Sequence, residues 1–438
     1  MNESALLQTE QHADPQADKR HIAMDMYIAG RKPTAICRAL GRSRTWFYQT
    51  LRRYQESGRA GLASRSRAPH RVANRTAEAL EKAVVRVRET ITGGSDPELR
   101  YANRGADSIA SELEHAQLPP PSRATINRIL KRHGLADSRP RRKQPRKLPP
   151  DYPWPHVSCP NQVHLFDFVS RRLTGGEQIV GYHLLDQARR WPYLSAKANK
   201  TKLLVSQFLV AAWQEIGLPQ ALYFDNDVVW RGSGSAKRTF SHIVRLCLSL
   251  GVHVIFIPPY LPEANPIIES FNQVWSGNFW QRETFTDLAD VQAKLPDFQR
   301  YWRTRRPLSK TDHRAPAQLF PNFTPTPLAA DYVLPERLPL TAGQVHFIRF
   351  VSASGNFSLL NETWQLEAEQ WAGKVIRAVV ALAEQQLYVY HLPDHRQPPQ
   401  LVTHFDYEIA TPVQPLAPGI VRPAPSLWEP PQAVPSEV

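Results

Sequence analysis

The sequence predicts a multidomain chain of mixed class, α + α/β + β: tandem helix-turn-helix units, then a mixed sheet with helices, then a small C-terminal β-barrel. Three observations predict it. Apolar residues recur at helical spacing as far as about Gly134. The period then shortens to strands interleaved with helices, which implies a sheet with helices packed on it. After about residue 330, short strands follow one another with turns between them.

Residues 1–17 read as a disordered tail, and a first domain spans 18–68. Its first helix, from Asp18, carries Ile22, Met26 and Ile28 and ends at Gly30. Pro33 suits the opening turn of a second helix, and Gly41 permits the turn that follows. Ser43 can cap a third helix that buries Phe47, Leu51 and Tyr54. The outward face of that helix, with Arg44, Thr45, Gln49 and Arg52, has the chemistry to enter a major groove.

The pattern repeats over 69–137. Helices are predicted over Thr76–Thr90 and Ala106–Ala116, and Ser122 can cap another that turns Ile126, Ile129 and Leu130 inward. Arg123, Thr125, Asn127 and Arg128 then face out as a second DNA-reading set. Residues 138–160 form a Pro- and Arg-rich linker, with Arg141, Arg142 and Lys143 predicted to contact phosphates without reading sequence.

In a third domain, 161–328, strands Val163–Val169, Gln178–Leu185 and Trp191–Ala196 suggest an antiparallel meander. A helix about Leu203–Trp213, a strand Ala221–Phe224, a helix His242–Leu250, a strand His253–Ile257 and a helix from Pro266 follow. Residues 329–410 are assigned to the barrel, with strands Gln344–Val351, Asn356–Leu360, Glu362–Leu366, Val375–Leu382 and Gln386–Leu392. Residues 411–438 read as a Pro-rich disordered tail.

Lys and Arg number 54 against 40 acids, a net charge of +14 that favours a polyanionic partner. Cys37, Cys159 and Cys247 lack paired spacing, which argues against a disulfide framework and a structural zinc site. The amino terminus carries no apolar signal segment, and no apolar run is long enough to span a membrane. An intracellular soluble protein is expected.

Three acids stand in apolar surroundings: Asp167 in His-Leu-Phe-Asp-Phe, Asp225 in Leu-Tyr-Phe-Asp-Asn, and Glu269 in Pro-Ile-Ile-Glu-Ser-Phe-Asn. They fall in mid-strand, at a strand end and on the first turns of a helix. An ionised carboxylate beside a core is costly unless a cation compensates it. Two divalent ions roughly 4 Å apart would do so. The plainer readings are turn residues for Asp225 and Asp227 and a dipole-favoured acid for Glu269. No activated Ser, Tyr or Cys nucleophile is evident.

These motifs resemble the catalytic core of DDE transposases and integrases of the retroviral-integrase superfamily, particularly IS481/IS3-like insertion-sequence transposases. The resemblance also rests on Leu-Leu-Asp-Gln-Ala-Arg-Arg-Trp ending at Trp191, on Pro259-Tyr-Leu-Pro-Glu-Ala-Asn-Pro, and on Tyr301-Trp-Arg-Thr-Arg-Arg-Pro. It implies an RNase H-like core in which Asp167, Asp225 and Glu269 are the catalytic, metal-binding triad for Mg²⁺ or Mn²⁺, two ions in all. Asn226 and Asn265 would shape the site, and Asp186 would be a non-catalytic strand-end acid. The implied reaction is hydrolysis at a transposon end, followed by attack of the freed 3′-hydroxyl on target DNA. The implied partners are transposon-end and target double-stranded DNA, further copies of the chain in a multimer, and accessory transposition proteins. The implied location is the bacterial cytoplasm, at the nucleoid. The sequence leaves open a DNA-binding repressor or assembly factor with a retired core, and a nuclease that cuts without joining. It departs from the family pattern at Asp227 and Pro266, where glycine is usual, and at Ser270, where a basic residue is usual. The interval between Asp225 and Glu269 is also longer than usual, an excess placed in Val228–Thr239.

Overall fold

The computed structural model describes residues 15–64, 76–94, 96–137, 148–230, 235–393, 397–420 and 427–428. Arg141, Arg142, Lys143, most of the amino-terminal tail and nearly all of the last eighteen residues lie outside them. The chain divides into two compact units, one before Thr76 and one from it onward.

The first unit holds α1 (Pro15–Ile28), α2 (Pro33–Leu40) and α3 (Arg44–Ser57). Gly41 ends α2 in the left-handed region at φ 63°, a conformation that costs glycine no Cβ clash. The Ser43 side chain accepts from the Trp46 N–H at 3.2 Å, as the capping reading requires. Ala23, Met24, Ile36, Cys37, Phe47 and Leu62 form the core. On α1 the inward face is Ala23 and Met24. The expected Ile22 and Ile28 are exposed, because small Ala23 lets the helices approach on that side.

The second unit begins with α4 (Glu78–Gly93), α5 (Ala106–His115) and α6 (Arg123–Arg132). Ser122 caps α6 through the Thr125 N–H, and Ile126, Ile129 and Leu130 are buried. Then come β1 (Val163–Arg172), β2 (Gln178–Asp186), β3 (Pro192–Lys197), α7 (Lys202–Ile216), β4 (Ala221–Phe224), α8 (His242–Ser249), β5 (His253–Phe256), α9 (Pro266–Val274) and α10 (Leu288–Thr304). The remaining elements are β6 (Leu340–Thr341), β7 (Gln344–Phe350), β8 (Asn356–Leu359), β9 (Glu362–Gln365), α11 (Ala368–Trp371), β10 (Val375–Ala381), β11 (Gln386–His391), β12 (Gln400–Asp406) and β13 (Val413–Gln414).

One nine-stranded sheet runs β12-β11-β10-β7-β5-β4-β1-β2-β3. Its centre, β7-β5-β4-β1, is parallel, and both flanks are antiparallel. The C-terminal strands therefore do not close into a barrel. They extend the central sheet through the β5–β7 pairing, and β8 pairs with β9 in a separate two-stranded sheet. The spans of β1–β5 and β7–β11 were readable from local alternation, but β6, β12 and β13 were not expected, and β13, paired with β6, lies in the stretch read as a disordered tail. The edge that β7 joins is a long-range choice that local pattern does not encode. Successive residues of β4 serve opposite faces: Leu222 and Phe224 pack with α7 and α8, while Ala221 and Tyr223 pack with α9, α10 and α4–α6. Among the described residues, no helix is long and apolar enough to cross a membrane.

Candidate active site

The parallel strands β4, β5 and β7 end along one edge of the sheet, the place where open sheets form their clefts. A cavity of about 620 Å³ opens there. It is lined by Asp167 from β1, Asp225 and Asn226 just beyond β4, Asn265 and Glu269 at the start of α9, and Arg349 from β7. Asp186, by contrast, is buried elsewhere and accepts backbone N–H groups from Asn161 and Arg189.

Each acid is placed by identifiable contacts. Asp167 accepts from the Phe168 N–H at 2.8 Å and from Asn272 Nδ2 at 2.6 Å. Since Asn272 donates through its nitrogen, its oxygen accepts from His183 Nδ1 at 2.7 Å. Burial drives the His183 ring down to about 4, so it is neutral at pH 7. His183 is also the direct cross-strand partner of Asp167. Asn272 and His183 were not singled out from sequence, although Asn272 lies three residues beyond Glu269 and so shares its helix face.

Asp225 Oδ1 accepts from the Asp227 N–H at 3.0 Å, and Asp227 Oδ1 accepts from the Val229 N–H at 3.2 Å. Asp227 has no positive φ, so the residue that replaces the usual glycine needs no left-handed backbone. Its other oxygen pairs with Lys200. Pro266 occupies the opening turn of α9, where its missing N–H is harmless. Ser270 is exposed. The Tyr223 hydroxyl donates to the Ala264 carbonyl at 2.9 Å, which ties β4 to the turn that launches α9.

The long interval between Asp225 and Glu269 also has anchors. Trp230 is fully buried among Phe166, Phe168 and Phe224, with ring centroids 4.4–5.2 Å away. Arg238 pairs with Glu362 of β9 at 2.7 Å. Residues 231–234 lie outside the described set.

Burial raises all three acids above the ordinary carboxylate range. For Asp167 burial is reinforced by the charges of Glu269 and Asp225, and the carboxyl reaches about 7. Asp225 is raised by burial and by Asp227, against the pull of the Asp227 N–H and Lys200. Glu269 is raised by burial and by Glu263. Among the described residues, no three His, Cys, Asp or Glu side chains close on one another tightly enough to grip a metal ion as they stand. The donor set nevertheless fits a hard divalent ion: oxygen-only ligands, partly buried, whose mutual repulsion a dication would relieve.

The helical candidates are distributed as follows. Arg44, Thr45, Gln49 and Arg52 are exposed on α3, and Arg52 forms an ion pair with Glu56. On α6, Asn127 and Arg128 are exposed and Thr125 is half-buried, taking a bond from Arg128 at 3.0 Å. Arg123 is exposed but paired with Asp107 of α5.

Residues 14–63 match the homeodomain-like domain family, and residues 250–316 match the integrase core domain. Of the three acids, Glu269 lies within the matched integrase segment. Over 167 residues the chain is 26% identical to the insertion element IS476 uncharacterized 39.2 kDa protein of Xanthomonas euvesicatoria, covering 38% of this chain and 46% of that protein. The chain thus spans less than half the length of that relative. Among solved structures it is similar to a chain of the simian T-cell lymphotropic virus intasome in complex with PP2A regulatory subunit B56 gamma. The identity there is 14% and the TM-score 0.32, over 72% of this chain and 100% of that one. It is also similar to the HTLV-2 integrase catalytic core domain in complex with magnesium, at 13% identity and TM-score 0.26, over 36% and 94% of the two chains.

Proposed function

We propose that this chain is a transposase or integrase of the DDE superfamily that binds transposon-end DNA, cleaves it at the 3′ end and joins that end to target DNA, a reading its integrase core and insertion-element matches support. The observation that carries the reading is that Asp167, Asp225 and Glu269, delivered by a strand, a strand exit and a helix, line one cavity. Burial, reinforced by neighbouring acids, raises the affinity of all three for protons, so a bound dication would relieve them.

Asp167, Asp225 and Glu269 would hold Mg²⁺ or Mn²⁺, two ions in all. When bound, such ions activate an attacking oxygen and stabilise a leaving one. The protein's own residues supply position. Asn272, held by His183, fixes the Asp167 carboxylate, and the Asp227 N–H fixes that of Asp225. Asn226 and Asn265 shape the cavity wall. The exposed face of α3 reads base edges, and α6 with Arg141, Arg142 and Lys143 supplies further DNA contact. Joining two ends requires more than one copy of the chain.

The test uses the full-length chain and a duplex carrying the DNA that flanks its coding sequence. Incubation with Mg²⁺ or Mn²⁺ is expected to give 3′-hydroxyl cleavage and, with added target duplex, joined product. Binding without either product would favour a retired core, and cleavage without joining would leave a nuclease.

A further inference from the structure

The structure assigns Arg349, on a strand outside the part of the chain that supplies the acids, as a positioning residue for the turn that carries Asp225. This rests on the recombinase reading above and deepens it. Arg349 lies in β7 just beyond Phe347, whose partner in the parallel β5–β7 ladder is Phe256. That register brings its side chain to the cavity where β4 ends at Phe224 and Asp225 follows.

Arg349 is only 8% exposed, and its hydrogen bonds join three separate segments. Nη2 donates to Asn226 Oδ1 at 2.9 Å. Nη1 donates to the Ile257 carbonyl beyond β5 at 3.1 Å and to the Ile348 carbonyl at 2.8 Å. Nε donates to the Ser358 carbonyl of β8 at 2.9 Å. Asn226 in turn donates through Nδ2 to the Ile257 carbonyl, so both ends of its amide are engaged. A buried guanidinium is costly to desolvate, and an apolar side chain would hold a strand as well. What an apolar side chain cannot do is aim donors at several acceptors at once, the use to which a planar fork is suited. Lysine, with one compact head, cannot span the same acceptors. Arg349 acts through Asn226 rather than on the reacting atoms: it locks the residue next to Asp225 and thereby the exit angle of that carboxylate.

This explains why the C-terminal strands extend the catalytic sheet rather than closing on themselves. The strand β7 brings a part that the site lacks without it. Supports of this kind around a metal-binding carboxylate are worth roughly 10–100-fold in metal affinity or rate.

The experiment compares the full-length wild type with Arg349→Met, Arg349→Lys, Asn226→Ala and the Arg349→Met/Asn226→Ala pair. Three readouts are taken: amide hydrogen exchange over the Asp225–Val229 turn without metal, Mn²⁺ binding by the loss of free-ion electron paramagnetic resonance signal, and single-turnover nicking of supercoiled plasmid with Mn²⁺. Each single variant should speed exchange in the turn. Each should also weaken Mn²⁺ binding and slow nicking about tenfold or more, with plasmid affinity unchanged. Lysine should not rescue, and the double variant should be no worse than the worse single one. Should Arg349→Met fail to fold, Asn226→Ala carries the same prediction. Wild-type exchange in the turn, or losses that multiply in the double variant, overturn the assignment. A wild type that neither binds Mn²⁺ nor nicks overturns the recombinase reading instead, and exchange in the turn still decides the role of Arg349.

Discussion

The helices α1–α3, with Leu62 just beyond them, close on a small core of their own, whereas α4–α6 share one apolar core with the sheet and with α9 and α10. The two sets look alike in sequence, each ending in a helix capped by Ser43 or Ser122 with a polar outer face. They differ in what fastens them. Tyr101, between α4 and α5, is packed against Phe279 and Phe298. Glu283, whose side chain is only 1% exposed, pairs with Arg100 and accepts from the Tyr101 hydroxyl. Arg305 reaches Glu112 of α5 at 2.6 Å. A similar helical pattern therefore serves a small self-contained unit in one case and a fixture of the larger unit in the other.

That difference can be broken or sharpened by substitution. The largest effect is expected for Phe47→Ala. Emptying this site costs about 3–5 kcal/mol, as much as a core this small supplies in total. The first unit should unfold while the larger unit keeps its own calorimetric transition; a single transition that shifts as a whole would erase the contrast. Glu283→Ala should cost about 1–3 kcal/mol, because the Tyr101 hydroxyl loses its acceptor, while the half-exposed Arg100 is left to water. Urea unfolding of the second unit should report that loss, with α1–α3 unaffected.

In the larger unit Asp167 is buried beside two other acids, and Asp167→Asn measures what that costs. The folded carboxyl titrates at about 7 against an ordinary 3.8. The unfolded chain therefore releases this proton first, and stability falls as pH rises between those values. Without metal the variant should be more stable than wild type above pH 7, by up to roughly 4 kcal/mol, and equal to it at the acid end. The opposite slope in thermal unfolding would mean that the site is already neutralised by another group. The smallest effects concern DNA. Arg44→Ala should weaken site-specific binding by about 1–3 kcal/mol if it reads a base edge. Arg123→Ala should cost less, because Arg123 must first leave Asp107. Equal losses in titrations on terminal duplex would remove the distinction.

Much of this was legible in the sequence, and for reasons that mark where legibility stops. Ser43, Gly41 and Ser122 act within a few residues of themselves, so their roles follow from local chemistry. Asp167, Asp225 and Glu269 stood out because ionised groups are anomalous beside Phe, Leu and Ile. Asn272 and His183 were missed because polar residues next to an apolar run are ordinary, until the β1–β2 register sets His183 opposite Asp167. Arg349 could not be found at all: its meaning depends on β7 pairing with β5 across almost ninety residues. For the same reason the barrel was expected where the sheet simply continues. Trp230 and Arg238 account for part of the unusual interval after Asp225, since they bind it to the core and to β9.

The central claim is that the three acids form a metal-dependent centre for cutting DNA. It is tested most directly by single-turnover cleavage of a duplex carrying the DNA that flanks the coding sequence, comparing wild type with Asp225→Asn. Wild type is expected to cleave in a Mg²⁺-dependent manner, the variant to lose at least about a hundredfold, and both to bind the duplex nearly equally. Cleavage by Asp225→Asn at the wild-type rate, or by wild type with the metal chelated, would contradict it.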